Sequence, residues 1–129
     1  VNRIAATLTD LQTDPGVCLL SASAHGQAFF AMLVGDAPPL AAGDAVTLVF
    51  KETEVSIARN LHGEISLRNR IPGVIAGIEP GRLLSRVAIP FGEQTIHAVV
   101  TTGSVERLQL QAGVAIEWLV KANEMGVAC

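Results

Sequence analysis

The chain repeats itself, so any fold assigned to it must be able to occur twice. Asn2, Arg3 and Ile4 recur 67 residues later as Asn69, Arg70 and Ile71, and Ala31 recurs as Ala98 at the same spacing. Gly43, Lys51 and Ala58 recur 70 residues later as Gly113, Lys121 and Ala128. The spacing grows by three because the first copy is shorter between Ala37 and Leu40, where it reads APP against SVERLQ in the second. A period this long means two copies of one small domain rather than a solenoid of short units. The seam lies within Lys51–Gly73, which divides the chain into a first module over residues 1–60 and a second over residues 65–129, with a polar linker over 59–65.

Each half is near the lower limit, about 55–65 residues, at which a domain folds unaided. Half of the residues (50%) are hydrophobic, so the surplus is expected to be buried between the halves and between subunits. No stretch approaches the roughly 20 unbroken apolar residues of a membrane span. Val1–Asp10 has neither a basic start nor a long apolar run, so no signal peptide is expected. A net charge of −3 argues against a general nucleic-acid surface. Cys18 and Cys129 have no motif spacing, and a reduced, cytoplasmic setting is the default.

Along the chain, Ile4–Leu11 alternates loosely and ends at a proline-containing turn, Thr13-Asp14-Pro15-Gly16. Val17–Ala24 and Gln27–Val34 are apolar runs split by His25-Gly26, which predicts a tight hairpin. Gly35-Asp36-Ala37-Pro38-Pro39 excludes a long helix. Ala45–Lys51 and Glu54–Ala58 are the predicted closing strands of the first copy. In the second, strands are predicted at Asn69–Ile78, Leu83–Phe91 and Thr95–Thr101. A short helix at Thr102–Leu108 follows, with Thr102 as its N-cap, and strands at Ala115–Lys121 and Glu124–Ala128 close the copy. The order β-β-β-α-β-β predicts an all-β chain with a short helix, built as two tandem OB-like five-stranded barrels.

Catalytic signatures are missing: there is no G-x-S-x-G, H-E-x-x-H, glycine-rich phosphate loop or C-x-x-C, and no enzyme is expected. The three histidines, His25, His62 and His97, are scattered, and the first two sit beside glycines in turns where exposure is the expected state. Three segments offer donors instead. Alternation places Ser66 and Arg68 on one side of an extended segment; a solvated linker is the competing explanation. Thr101-Thr102-Gly103-Ser104 opens the helix, where free amides, a glycine and a hydroxyl suit a small oxyanion; an ordinary cap has the same composition. Lys121 ends an apolar strand, with Lys51 at the same place in the other copy; lysines there also serve to blunt a strand edge.

S-x-R-N before a strand, V-V-T-x-x-S opening a short helix, then L-x-x-G and V-K-A-x-E all occur in order within Ser66–Ala128. This pattern resembles the molybdate-binding Mop module of the TOBE domain family. The first copy resembles it more weakly, through its NRI start and GDAVTLVFKETEV end. Two copies with little else resemble freestanding tandem Mop proteins, without the ATPase or DNA-binding portions to which such tandems are also attached.

The resemblance implies a cytoplasmic binder of molybdate or tungstate for storage and homeostasis of molybdenum. The metal would be held only as the oxyanion, without an organic cofactor. It implies Ser66, Arg68, Ser104 and Lys121 as ligand residues, with Asn69, Thr102 and Gly103 beside them and Lys51 and Arg3 as secondary candidates. It also implies a homotrimer, in which six modules form a ring-like body with sites between modules, and no nucleic-acid or membrane partner. The first copy departs from the pattern: it has Asp36 and Ala37 where the second has Gly103 and Ser104, so no equivalent site is expected there. Two other functions fit the same residues. One is the ligand-sensing module of a molybdate transporter ATPase or transcription regulator. The other is a structural OB-like interaction module, although few aromatics (4%) are present to stack on bases.

Overall fold

Strand β1 (Asn2–Asp14) is longer than its loose alternation predicts, because only its first half faces a core. There Asn2, Ile4, Ala6 and Leu8 point inward in strict alternation, while the second half runs out as a ribbon paired with β2 (Val17–Ala24). The turn between them places Pro15 and Gly16 in the middle, and Gly16 takes a φ of 82° that the turn requires. β2 and β3 (Gln27–Val34) form the expected hairpin over His25-Gly26. β4 (Ala45–Phe50) pairs with β1.

The computed structural model describes residues 1–128; Cys129, for which a reduced state was expected, lies outside them. Cys18 is a free thiol within the core. In the second copy, the strand predicted at Asn69–Ile78 is broken into β6 (Asn69–Val74) and β7 (Gly77–Glu79). The break occurs where the backbone changes partners: the Ile75 N–H donates to Val114 O, and the Ala76 N–H to Ala88 O. β1 has its irregularity at the matching place, between Leu8 and Asp10. β8 (Leu84–Phe91) and β9 (Gln94–Thr101) form a hairpin, α1 (Thr102–Arg107) follows, and β10 (Ala115–Val120) pairs with β6.

The closing strands cross over. β5 (Ser56–Ala58), at the end of the first copy, pairs with β10 of the second. β11 (Gly126–Ala128), at the end of the second, pairs with β4 of the first. Both predicted closing strands begin as 3-10 turns, at Glu52–Glu54 and Ala122–Glu124, because the N–H of each turn's last residue bonds back to the lysine carbonyl, Lys51 O or Lys121 O.

Two buried asparagines reinforce the exchange. The Asn69 side chain accepts from the Phe30 N–H at 2.7 Å and donates to Phe30 O at 2.8 Å and Val120 O at 2.9 Å. Asn2 makes the matching pair with the backbone of His97, both at 2.9 Å. Each amide thus satisfies a residue on the outer edge of the other copy's hairpin, as a neighbouring strand would.

One contiguous core spans both copies. At its centre Trp118 stacks on Phe50 (centroids 5.7 Å apart, planes at 18°) and meets Phe91 edge-on at 5.8 Å. The copies fill this space differently. Where the first has Ala6, Ala22 and Leu48, the second has Gly73, Ile89 and Trp118. A Cβ on Gly73 would stand 2.8 Å from Ile89 Cγ2, so the missing methyl makes room for the larger side chains.

Candidate functional site

The linker is held at both ends by arginines. The Arg59 Nη1 donates to Leu108 O and Gln109 O, each at 2.9 Å, covering carbonyls at the end of α1. Arg70 donates to Leu61 O and Gly63 O and forms an ion pair with Glu117 at 2.7 Å. So fixed, the chain bends at Ser66 and passes through Leu67 and Arg68 into β6, which pairs with β10, the strand that Lys121 follows.

Ser66, Arg68 and Lys121 line a single cleft of about 600 Å³. Its walls are Met32, Leu67 and Leu119, and Glu54 and Glu124 stand on its boundary. The two carboxylates offset the two cations, so attraction for an anion depends on aimed donors rather than on net charge. Arg68 sits over the Phe30 ring, its Cζ 3.6 Å from the centroid. Among the described residues, no protein acceptor engages its guanidinium, whereas Arg59, Arg70 and Arg86 are all hydrogen-bonded.

Ser104 is not in this cleft. It lies with Thr101 and Arg107 in a second one of about 340 Å³, and Ser56 borders both. The helix cap also differs from expectation: Thr101, not Thr102, is the N-cap. Thr101 Oγ1 accepts from the Ser104 N–H at 3.1 Å and donates to Ser104 Oγ at 2.8 Å. Thr102 turns inward, donating from Oγ1 to Gly81 O at 2.7 Å and lying 2.8 Å from Ser85 Oγ, while its N–H bonds to Leu83 O. Of the expected amides, those of Thr102 and Ser104 are therefore engaged within the chain. Gly103 faces open space: a Cβ there would meet nothing within 4 Å.

Asn69, expected beside the ligand, is fully buried and its amide is committed to Phe30 and Val120. Alternation at the entry to β6 fits this, with Arg68 exposed and the next residue, Asn69, turned into the core. Lys51 lines a separate cleft of about 810 Å³ that also contains Asp36, Glu54 and Glu124, and Arg3 is exposed on β1 outside these clefts. His25 and His62 are exposed, as their turn positions imply. Sequence reasoning included Thr101 in the donor segment but gave the cap to Thr102, and it overlooked Ser56. The capping role of Thr101 was legible in the T-x-x-S spacing, and Ser56 in its replacement by Gly126 in the second copy.

Residues 65–127 match the TOBE domain family. The second copy thus carries the TOBE-domain match. It is 34% identical over 80 residues to the molybdenum import ATP-binding protein ModC of Mannheimia succiniciproducens, a match covering 62% of this chain and 23% of that protein. Against ModC of Brucella abortus the figures are 37% over 78 residues, 60% and 22%. The chain thus spans less than a quarter of these relatives. In fold it is similar to the cytoplasmic molybdate-binding protein ModG, in a crystal form with molybdate bound, with a TM-score of 0.93 over 98% of this chain and 94% of that one. At 22% identity this likeness establishes the mostly β, OB-like fold of the chain.

Proposed function

We propose that this chain binds molybdate, as the tetrahedral dianion, and performs no catalysis on it. The observation that carries this reading is the convergence of Ser66, Arg68 and Lys121 on one cleft, with the Arg68 donors unspent. A tetrahedral oxyanion has only acceptor atoms, so it calls for hydroxyls, ammonium and guanidinium groups rather than a base. The relatives' names, two molybdenum importers and a molybdate-binding protein, support this choice of oxyanion.

The site is completed between chains. Ser66, Arg68 and Lys121 stand in one cleft of the protomer and Thr101 and Ser104 in another, a division that suits joining one protomer's first set to its neighbour's second. Exposed Leu83 (68%) and Val34 (88%) supply apolar surface for such assembly. The assembly is a trimer of tandem chains, and its role is storage and buffering of molybdate, with tungstate accepted, in the cytoplasm. Both clefts carry Glu54 and Glu124, but that of Lys51 adds the Asp36 carboxylate and has no arginine, so the reading gives the first copy no equivalent site.

Calorimetry against molybdate, tungstate, sulfate and phosphate at matched ionic strength tests the reading. Molybdate and tungstate are expected to bind more tightly than sulfate, because a preformed cage separates oxyanions by size. Equal affinity for sulfate contradicts a role in molybdenum homeostasis. A second role, as the sensing portion of a transporter ATPase, is favoured by the short share of the importers that the chain covers. An ATP-binding region in the same reading frame would establish it, and a stop codon between the two would refute it.

A further inference from the structure

We infer that Phe30, contributed by the first copy, is a positioning residue for the oxyanion site of the second. The inference rests on the oxyanion reading and extends it to a residue outside the binding motif. Successive residues of S-L-R-N seize Phe30 at two points. Asn69 holds its backbone through the N–H at 2.7 Å and the carbonyl at 2.8 Å, and Arg68 covers its ring with the guanidinium carbon 3.6 Å from the centroid.

The division of labour is chemical. A guanidinium stacked by its face keeps its N–H donors pointing outward in its own plane. Arg68 is otherwise exposed, and a free arginine would lose rotamer entropy on binding an anion. The ring absorbs part of that loss beforehand without consuming a donor. This also accounts for Asn69: its side chain reaches no ligand, but it fixes the strand residue on which the arginine rests. In the mate position Asn2 grips the His97 backbone in the same way, yet residue 1 is valine, so no side-chain cation stands at the place matching Arg68.

The test is a double-mutant cycle on the full chain, with calorimetric titration of molybdate and a melting curve for every variant. Phe30→Leu is expected to weaken binding roughly two- to fivefold, the size of an exposed cation–π contact. Phe30→Tyr retains a face and is expected to keep the wild-type affinity. In an Arg68→Ala background, Phe30→Leu should cause no further loss. An equal loss in both backgrounds, or none in the wild type, overturns the role. Ligand-free NMR of the wild type gives a second measurement: the Arg68 side-chain protons should be shifted upfield by the ring, and random-coil positions refute the stack. If the wild type binds no oxyanion, the binding reading and this role fail together. If it binds and Phe30→Leu binds equally well, only the positioning role fails.

Discussion

Asn69→Ala removes three hydrogen bonds from a side chain with 0% exposure, two to Phe30 and one to Val120. At about 1 kcal/mol for each bond, the loss is about 3 kcal/mol. Asn2→Ala removes two bonds, both to His97, and should cost about 2 kcal/mol. The ordering is the more telling part, since both asparagines perform the same task in mate positions and differ by one partner. Asn69→Asp keeps the acceptor for the Phe30 N–H but turns a carboxylate oxygen toward two carbonyls, so it should be no milder than alanine. Urea unfolding followed by fluorescence reads this directly, because Trp118 is the sole tryptophan and is fully buried. The midpoint should fall without a change in slope. An Asn69→Ala protein within about 0.5 kcal/mol of wild type would refute the claim that this amide joins the copies.

Three further outcomes are expected. Gly73→Ala places a methyl 2.8 Å from Ile89 Cγ2 and should lower stability by about 1–3 kcal/mol in the same urea assay. The Glu52 carboxyl is held below its ordinary value of 4.5 chiefly by its hydrogen bond from Arg86; its stabilisation is therefore present above that value and lost as pH falls through the depressed one, so the gap between wild type and Glu52→Gln should close on acidification. Lys121→Ala should weaken molybdate binding by about 1–3 kcal/mol in calorimetry, whereas Lys51→Ala, in the cleft with Asp36, should leave it unchanged.

The strands and the short helix were legible because apolar runs of strand length are separated by turn residues, as at His25-Gly26 and Gln111-Ala112-Gly113. The exchange of β5 and β11 was not. Three residues such as Ser56-Ile57-Ala58 carry the same pattern whichever copy they pair with, and pairing partners are absent from local periodicity. The choice of Thr101 over Thr102 as cap depends on backbone angles: Thr101 has an extended ψ of 144°, and adjacent threonines look alike in sequence. At the site, alternation grouped Ser66 with Arg68 and should equally have turned Asn69 away. The separation of Ser104 from Lys121 into different clefts is a tertiary fact with no local signal.

Crystals of the full chain grown with molybdate, measured on both sides of the molybdenum absorption edge, locate the metal without reference to any assumed ligand. The account predicts an anomalous peak in the cleft of Ser66, Arg68 and Lys121, approached by Thr101 and Ser104 of a neighbouring chain. A peak confined to the cleft of Lys51 and Asp36, or no peak in crystals saturated with molybdate, would contradict it.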